Sequence, residues 1–282
     1  MLIRYGTDKN GHPVKKAVVY TKNEHGIPKE KIDYDALITI NRLRDAGFSA
    51  YIVGGAVRDL IVGNVPKDFD IVTDATPSRI KKIFRNSRII GKRFRIVHVI
   101  CGSKIFEVST FRSNAEGSVG NNFGTIDEDV LRRDFTLNAL YYDPVHEQVI
   151  DYVGGFRDIK KHVLKPVISL DKIFVEDPVR MLRAIKYSAK TGSKMSFVLR
   201  HKIRTSANLL SQVSPSRLTE ELLKIINSGH AADIVSEALD TDLYMALQPA
   251  ATAIMYDNRK FEMSYMKNMQ ALDEFIAQEP DA

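Results

Sequence analysis

The stretch KDFDIVTDATP, residues 67–77, sets two carboxylates, Asp68 and Asp70, on either side of Phe69 and just ahead of the apolar Ile71 and Val72. Side chains alternate along a strand, so both acids face one way while Phe69 and Ile71 face the other. Two carboxylates on one face repel unless a cation lies between them. Magnesium takes oxygen ligands, and one or two carboxylates with phosphate oxygens complete its shell. Metal held in this way activates an attacking hydroxyl and stabilises a leaving phosphate oxygen. An Asp-x-Asp pair is also common at a solvated strand edge or as a turn cap, so its neighbours decide the reading.

Three neighbours bear on it. In VGGAVRD, residues 53–59, Gly54 and Gly55 let the backbone approach a ligand closely, and a helix N-terminus follows whose unpaired N–H groups suit an anion. Arg58 lies one turn in, placed for a charged contact to phosphate. A tight turn alone also explains the two glycines, and the spacing is neither a Walker loop nor a dinucleotide GxGxxG. In KIFEVSTFR, Glu107 interrupts an apolar strand. It becomes a third carboxylate if that strand pairs beside the one bearing Asp68 and Asp70, and otherwise faces solvent on an edge strand. In RRDFTLNAL, Asp134 and Asn138 are four apart and share a helix face. With Arg133 they form a grip for ribose and phosphate, although a solvated helix face with an Asp–Asn contact has the same pattern.

The elements that position these residues follow from pattern. Residues 1–31 are polar and basic, with AVVY the one strand-like run, and read as an N-terminal extension. DYDALITINRLRDAG has helical apolar spacing and ends at Gly47. SAYIVGG is a short strand, AVRDLIVG a helix closed by Gly63, and FDIVT a strand. TPSRIKKIF starts a helix with Thr76 as cap and Pro77 at its first position. SRIIG, RIVHVIC and KIFEVSTF are further strand runs, and residues 113–124 a polar loop. From Ile126 the pattern turns largely helical through DEDVLRRDFTLNAL, with VIDYVGG a last strand and turn. DPVRMLRAIKYSAKTG and SPSRLTEELLKIINSG are capped helices. The expected architecture is an α/β head on a mixed sheet, residues 32–155, followed by an all-α body, residues 156–282.

Composition narrows the class. The 282 residues are enough for two domains, and a formal net charge of +6 suits a polyanionic partner such as nucleic acid. The single cysteine, Cys101, lies in an apolar run and excludes a disulfide framework or a cysteine-based zinc site; it reads as a small buried residue. No run is long and apolar enough to span a membrane, and no signal-peptide core opens the chain, so a cytoplasmic protein is expected.

Taken in order, YIVGGAVRDLIVGNVPKDFDIVTDATP, RRDFTLNALYY, DYVGGFRDIKK and EDPVRMLRAIKYSAKTG resemble the successive motifs of the nucleotidyltransferase family that holds the bacterial poly(A) polymerases and the bacterial-type CCA-adding enzymes. The resemblance runs from about Val18 to about residue 250. It implies an α+β fold, with a DNA polymerase β-like nucleotidyltransferase head followed by a helical neck and body. It makes Asp68 and Asp70 the catalytic, metal-binding carboxylates, with Glu107 where a third belongs. It gives Gly54, Gly55, Arg58 and Asp59 to the triphosphate, and Arg133, Asp134 and Asn138 to the ribose. In EDPVR it makes Asp177 and Arg180 the edge that reads the incoming base, with Arg183 adding a base or phosphate contact. An Asp accepts from exocyclic amino groups and an Arg donates to ring nitrogens and carbonyls, so the pair is chemically apt, although an intrahelical salt bridge has the same spacing.

Within the family, RIIGKRFRIVHV fits the poly(A) polymerase pattern: Ile89, Ile90, Gly91, Lys92, Arg93, Phe94 and His98. The departure is at the other end, where the sequence stops on QEPDA and the poly(A) polymerases carry a longer basic region, which bears on RNA affinity. The expected function is template-independent addition of AMP from ATP to RNA 3′ ends, with two magnesium ions as cofactors and ATP and RNA 3′ ends as partners. The alternatives are a CCA-adding enzyme with the same head and an RNA-binding protein with a silent head.

Overall fold

The computed structural model describes residues 1–7, 10–91, 95–113 and 123–278. The chain divides into two compact units, residues 1–159 and 160–282.

The first unit is a nine-stranded mixed sheet. Its strands are β1 (Leu2–Thr7), β2 (Pro13–Thr21), β3 (Ala50–Val53), β4 (Asp70–Thr73), β5 (Ser87–Ile90), β6 (Ile96–Cys101), β7 (Lys104–Thr110), β8 (Leu140–Asp143) and β9 (Gln148–Asp151). They lie in the order β1-β2-β9-β8-β3-β4-β7-β6-β5. All neighbours are antiparallel except β4 and β7, which run parallel with Ile71 opposite Val108. Its helices are α1 (Lys22–His25), α2 (Tyr34–Asp45), α3 (Gly55–Ile61), α4 (Pro77–Ile83), α5 (Ile126–Leu131) and α6 (Gly155–Lys160). One face of the sheet buries Ala17, Val19, Val53, Val72, Tyr141 and Ile150 with Val130 of α5. The alternate residues Ile52 and Ile71 are fully buried as well, and α2 packs on β3 and β4. A sheet covered on both sides explains why its central strands read as apolar runs.

Helix starts follow the sequence signals. Asp33 caps α2 by accepting from the Asp35 and Ala36 N–H groups, and Thr76 with Pro77 opens α4. Asp151 closes the sheet: its carboxylate accepts N–H bonds from Val153, Gly154, Gly155 and Phe156, at 2.8–3.1 Å. Gly155 is required there, because a Cβ would stand 2.0 Å from the Thr136 carbonyl oxygen.

Three expectations change. Residues 1–31 supply two strands to the sheet rather than a bare extension. The helix begun at Ile126 ends at Leu131, and a single 3-10 turn, Thr136–Asn138, leads into β8, so RRDFTLNAL is a turn between helix and strand. Its apolar residues are buried, with the turn packed against α3, which imitates a helical pattern. Cys101 is half-buried at the end of β6. Lys92, Arg93 and Phe94 of the GKRF run lie outside the described residues, as does most of the 113–124 loop.

The second unit is helical: α7 (Ile173–Glu176), α8 (Val179–Thr191), α9 (Phe197–Ser206), α10 (Pro215–Ile226), α11 (Ala231–Asp240), α12 (Tyr244–Leu247), α13 (Pro249–Asp257) and α14 (Arg259–Gln278). The one exception among its described residues is a parallel pairing of Val163–Leu164 with Lys194–Met195. Met181, Leu182, Ile185, Ile203, Ile234 and Val235 are core residues of this unit.

Candidate active site

β3 runs into Gly54, whose φ of 74° is open to glycine and strained for any other residue. A Cβ there would lie 3.8 Å from Arg133 Nη1 and 4.0 Å from both Asp70 Oδ2 and the Asn138 carbonyl oxygen. The Gly54 turn, Asp70, Arg133 and the 136–138 turn are thus one constellation. The sheet builds it. Val53 stands opposite Asp70 across the β3–β4 ladder, which puts the turn and the carboxylate at the same end of adjacent strands.

Asp68 is exposed just before β4, and Phe69 between the two acids is buried, as strand alternation requires. On the other side of β4, the parallel register with β7 sets Glu107 beside Asp70, each one residue before the Ile71–Val108 pair. β7 is paired on both sides, so Glu107 is not on an edge strand. His98 of β6, directly opposite Glu107, brings its Nε2 to 3.5 Å from the Glu107 carboxylate.

The electrostatics single out Asp70. Solvent reaches its side chain, yet the surrounding protein is dense, and crowding is the main cause that pushes its pKa up to about 6. Glu107 and Asp68 push the same way, and Arg133 opposes them. A carboxylate in this position is ionised at modest cost once a cation is supplied. Arg133 is itself locked. Its Nη2 donates to Asp129 at 2.9 Å, its Nε to the Tyr141 hydroxyl at 3.0 Å, and its Nη1 to the Asn138 carbonyl at 3.3 Å. The Tyr141 hydroxyl closes the ring by donating to Asp129 at 2.7 Å. Burial works against the Arg133 charge, but Tyr141 and Asp129 more than offset it, and its pKa lies above the ordinary value.

Asp129 and Tyr141 were missed from sequence. The Asp129–Arg133 spacing of four residues was a usable signal; Tyr141, on a strand across the turn, gave none.

Arg58, expected on phosphate, is buried instead. It donates to Asp59 at 2.8–2.9 Å and to Asn138 Oδ1 at 2.7 Å, and both partners are buried too. These bonds tie the Gly54 turn to the 136–138 turn. Asp134 and Asn138 do not share a helix face: Asp134 accepts from the Phe135 N–H at the turn, while Asn138 points to Arg58.

In the second unit, Asp177 precedes α8 rather than lying on it. Its Oδ1 accepts from the Val179 N–H, and its Oδ2 takes Arg217 Nη2 at 2.7 Å. Arg180 donates to Glu176 at 2.9 Å and to the Ile173 carbonyl at 3.2 Å. The expected shared helix face is therefore corrected, because Pro178 starts the helix after Asp177. Arg183 lies 3.8 Å from Glu221, a buried acid that also holds Lys186 at 2.9 Å. Arg217 is a further residue that the sequence did not single out.

Oxygen-only donors and mutually repelling carboxylates fit a hard divalent cation. Among the described residues no group of three or more acidic, histidine or cysteine side chains is gathered closely enough to hold a metal. Asp68 and Asp70 are the side chains that could hold such an ion, with water and phosphate oxygens in its remaining positions.

Comparison with known proteins decides the family. Residues 50–165 match the poly A polymerase head domain, and residues 194–255 match the probable RNA and SrmB-binding site of polymerase A. The chain is 40% identical over 259 residues to poly(A) polymerase I of Escherichia coli O157:H7, covering 86% of this chain and 56% of that protein. The chain belongs to the tRNA nucleotidyltransferase/poly(A) polymerase family. The family also contains a CCA-adding enzyme of Lactobacillus helveticus, 35% identical over 214 residues, with 74% of this chain and 53% of that protein covered. Among solved structures, the Bacillus stearothermophilus CCA-adding enzyme in complex with CTP is 35% identical with a TM-score of 0.67, covering 74% of this chain and 52% of that one. The chain thus spans about half the length of the curated relatives it matches. No helix among the described residues is long and apolar enough to cross a membrane.

Proposed function

We propose that this chain is a template-independent RNA nucleotidyltransferase that adds AMP from ATP to RNA 3′ ends. The observation that carries the reading is the juxtaposition of Asp68 and Asp70 with Glu107, the Gly54 turn and the locked Arg133. The 3′-hydroxyl attacks the α-phosphate in line and pyrophosphate leaves. Asp68 and Asp70 would hold two magnesium ions, which supply charge neutralisation for phosphoryl transfer when bound. Gly54 and Gly55 give the triphosphate an open backbone approach. Arg58, Asp59 and Asn138 hold that turn in place, and Arg133 faces the same space with a permanent positive charge. Asp134 is assigned to the ribose. Asp177, Arg180 and Arg183 are assigned to the base, with Arg217 as the group that orients Asp177.

Poly(A) addition is preferred over CCA addition because identity is higher, and over a longer stretch, to the poly(A) polymerases: 40% over 259 residues against 35% over 214. CCA addition is the second reading, favoured by the likeness to the CTP complex. The test is an RNA primer not ending in CC, incubated with magnesium and ATP or CTP alone. A long ladder with ATP and little product with CTP is expected. CTP use on a tRNA lacking its end, followed by one adenosine and arrest, would replace this reading by CCA addition. No incorporation of any nucleotide would leave the silent RNA-binding head.

A further inference from the structure

The β1–β2 ribbon is larger than the sheet needs. β2 pairs with β9 only from Val18 to Thr21, while β1 and β2 continue pairing out to Thr7 and Pro13. The direction of this overhang follows from the ladders. Val18 and Leu140 both stand opposite Asp151, Tyr141 stands opposite Val53, and Val53 opposite Asp70. Residues 5–7 and 13–15 therefore project past the same end of the sheet that carries Gly54, Asp68 and Asp70.

The two faces of the ribbon differ. On one, Arg4 Nη1 donates to the Tyr152 hydroxyl at 3.2 Å, and Lys16, bulged out of register, crosses Gly6 to reach Asp127 at 3.1 Å. That face is anchored to the head. On the other, Tyr5 and Lys15 are direct cross-strand partners and share a side. Both are exposed, Tyr5 at 62%, and neither makes a hydrogen bond or ion pair among the described residues. Arg4, Lys15 and Lys16 are the permanently charged side chains among described residues 2–7 and 10–21, His12, Tyr5 and Tyr20 are the other titratable ones, and no carboxylate is among them.

We propose that this ribbon is a binding arm for single-stranded RNA, with an unpaired base stacked on Tyr5 and its phosphate on Lys15. An aromatic face beside a free ammonium is the arrangement that holds single strands without regard to sequence. The proposal rests on the RNA nucleotidyltransferase reading and adds to it a contact upstream of the reacting end. β1 lies five strand spacings from β4, about 24 Å. A short primer cannot span that distance and a long one can.

The test measures anisotropy of a 5′-labelled single-stranded RNA of twenty or so nucleotides with the full chain and with Tyr5→Ala and Lys15→Ala. Both side chains are exposed and make no hydrogen bond or ion pair among the described residues, so the variants are expected to melt with the parent. Tyr5→Ala should weaken binding about tenfold. Lys15→Ala should lower the slope of log affinity against log salt by about 0.7. Extension of a dinucleotide primer should be unchanged in both. A parent that binds the long RNA, with both variants equal to it in affinity and slope, overturns the arm and leaves the head's reading intact. A parent that neither binds nor extends RNA overturns that reading itself. Variants that lose a dimer seen for the parent, with RNA binding unchanged, would assign the edge strand β1 to self-association and overturn the arm.

Discussion

The two units hold their candidate functional side chains in different ways. In the head, Arg133, Tyr141, Asp129, Arg58 and Asn138 form buried networks with two or three partners each. In the second unit, Asp177 and Arg180 rest on partly exposed ion pairs with Arg217 and Glu176. Buried networks cost much to break, because a lost partner leaves an unsatisfied polar group. Exposed pairs exchange partners at little cost. Under the proposed function, the side chains assigned to the chemical step are thus fixed in geometry, and those assigned to the base are held loosely.

The largest effect expected is on the carboxylates. Asp70→Ala or Asp68→Ala should reduce nucleotide incorporation on the order of 10³-fold or more. Neither change should lower the melting temperature, because each removes one of several repelling charges. Incorporation near the parent level in either variant would break the metal assignment. Next comes the buried network. Tyr141→Phe removes the hydroxyl that joins Arg133 to Asp129 and should cost about 1–3 kcal/mol in a urea melt. A matching change at an exposed pair, Glu176→Gln, should cost less than about 1 kcal/mol. Equal costs would erase the contrast between the units.

The third prediction concerns base reading. Arg180→Ala and Asp177→Ala should each remove about 1–3 kcal/mol of discrimination among nucleotides, read from incorporation of each NTP offered alone, with RNA affinity little changed. Arg217→Ala should shift preference in the same direction as Asp177→Ala if it orients that carboxylate. Unchanged preference in all three would make these pairs structural.

The smallest effect is in the pH dependence of stability. His25 is buried, accepts from the Ile27 N–H at Nδ1 (3.0 Å), and makes its other bond from Nε2 to the Glu147 carbonyl (2.9 Å). Nδ1 is therefore unprotonated in the fold, and burial holds the pKa below the usual 6.5. Below the unfolded value the unfolded chain binds the proton first. His25 thus contributes fully above about pH 6.5, and its contribution is lost as pH falls below that. The fall in urea midpoint between neutral and mildly acidic pH should be smaller in His25→Gln than in the parent.

The head was legible where function left a local mark. Asp68 and Asp70 straddle a buried Phe69, and glycines stand where a positive φ and a close approach require them. The strand order was not legible, since the parallel pairing of β4 with β7 joins segments separated by two other strands. RRDFTLNAL misled because a buried turn spaces its apolar residues as a helix does. Asp177 was misplaced because Pro178 forces the residue before it out of helical conformation, so Asp177 ends one helix and the next begins after it.

That parallel pairing also bears on when the site comes into being. Asp70 and Glu107 meet only after a long loop has closed around β5 and β6, an entropic cost met before any contact repays it. Helical signal, which local segments such as α8 and α10 can generate early, is expected to return on refolding before nucleotide incorporation does. A chain still emerging from synthesis would carry both aspartates before it carried the strand that sets Glu107 beside Asp70, and under the proposed function it would leave RNA ends untouched until the head was whole.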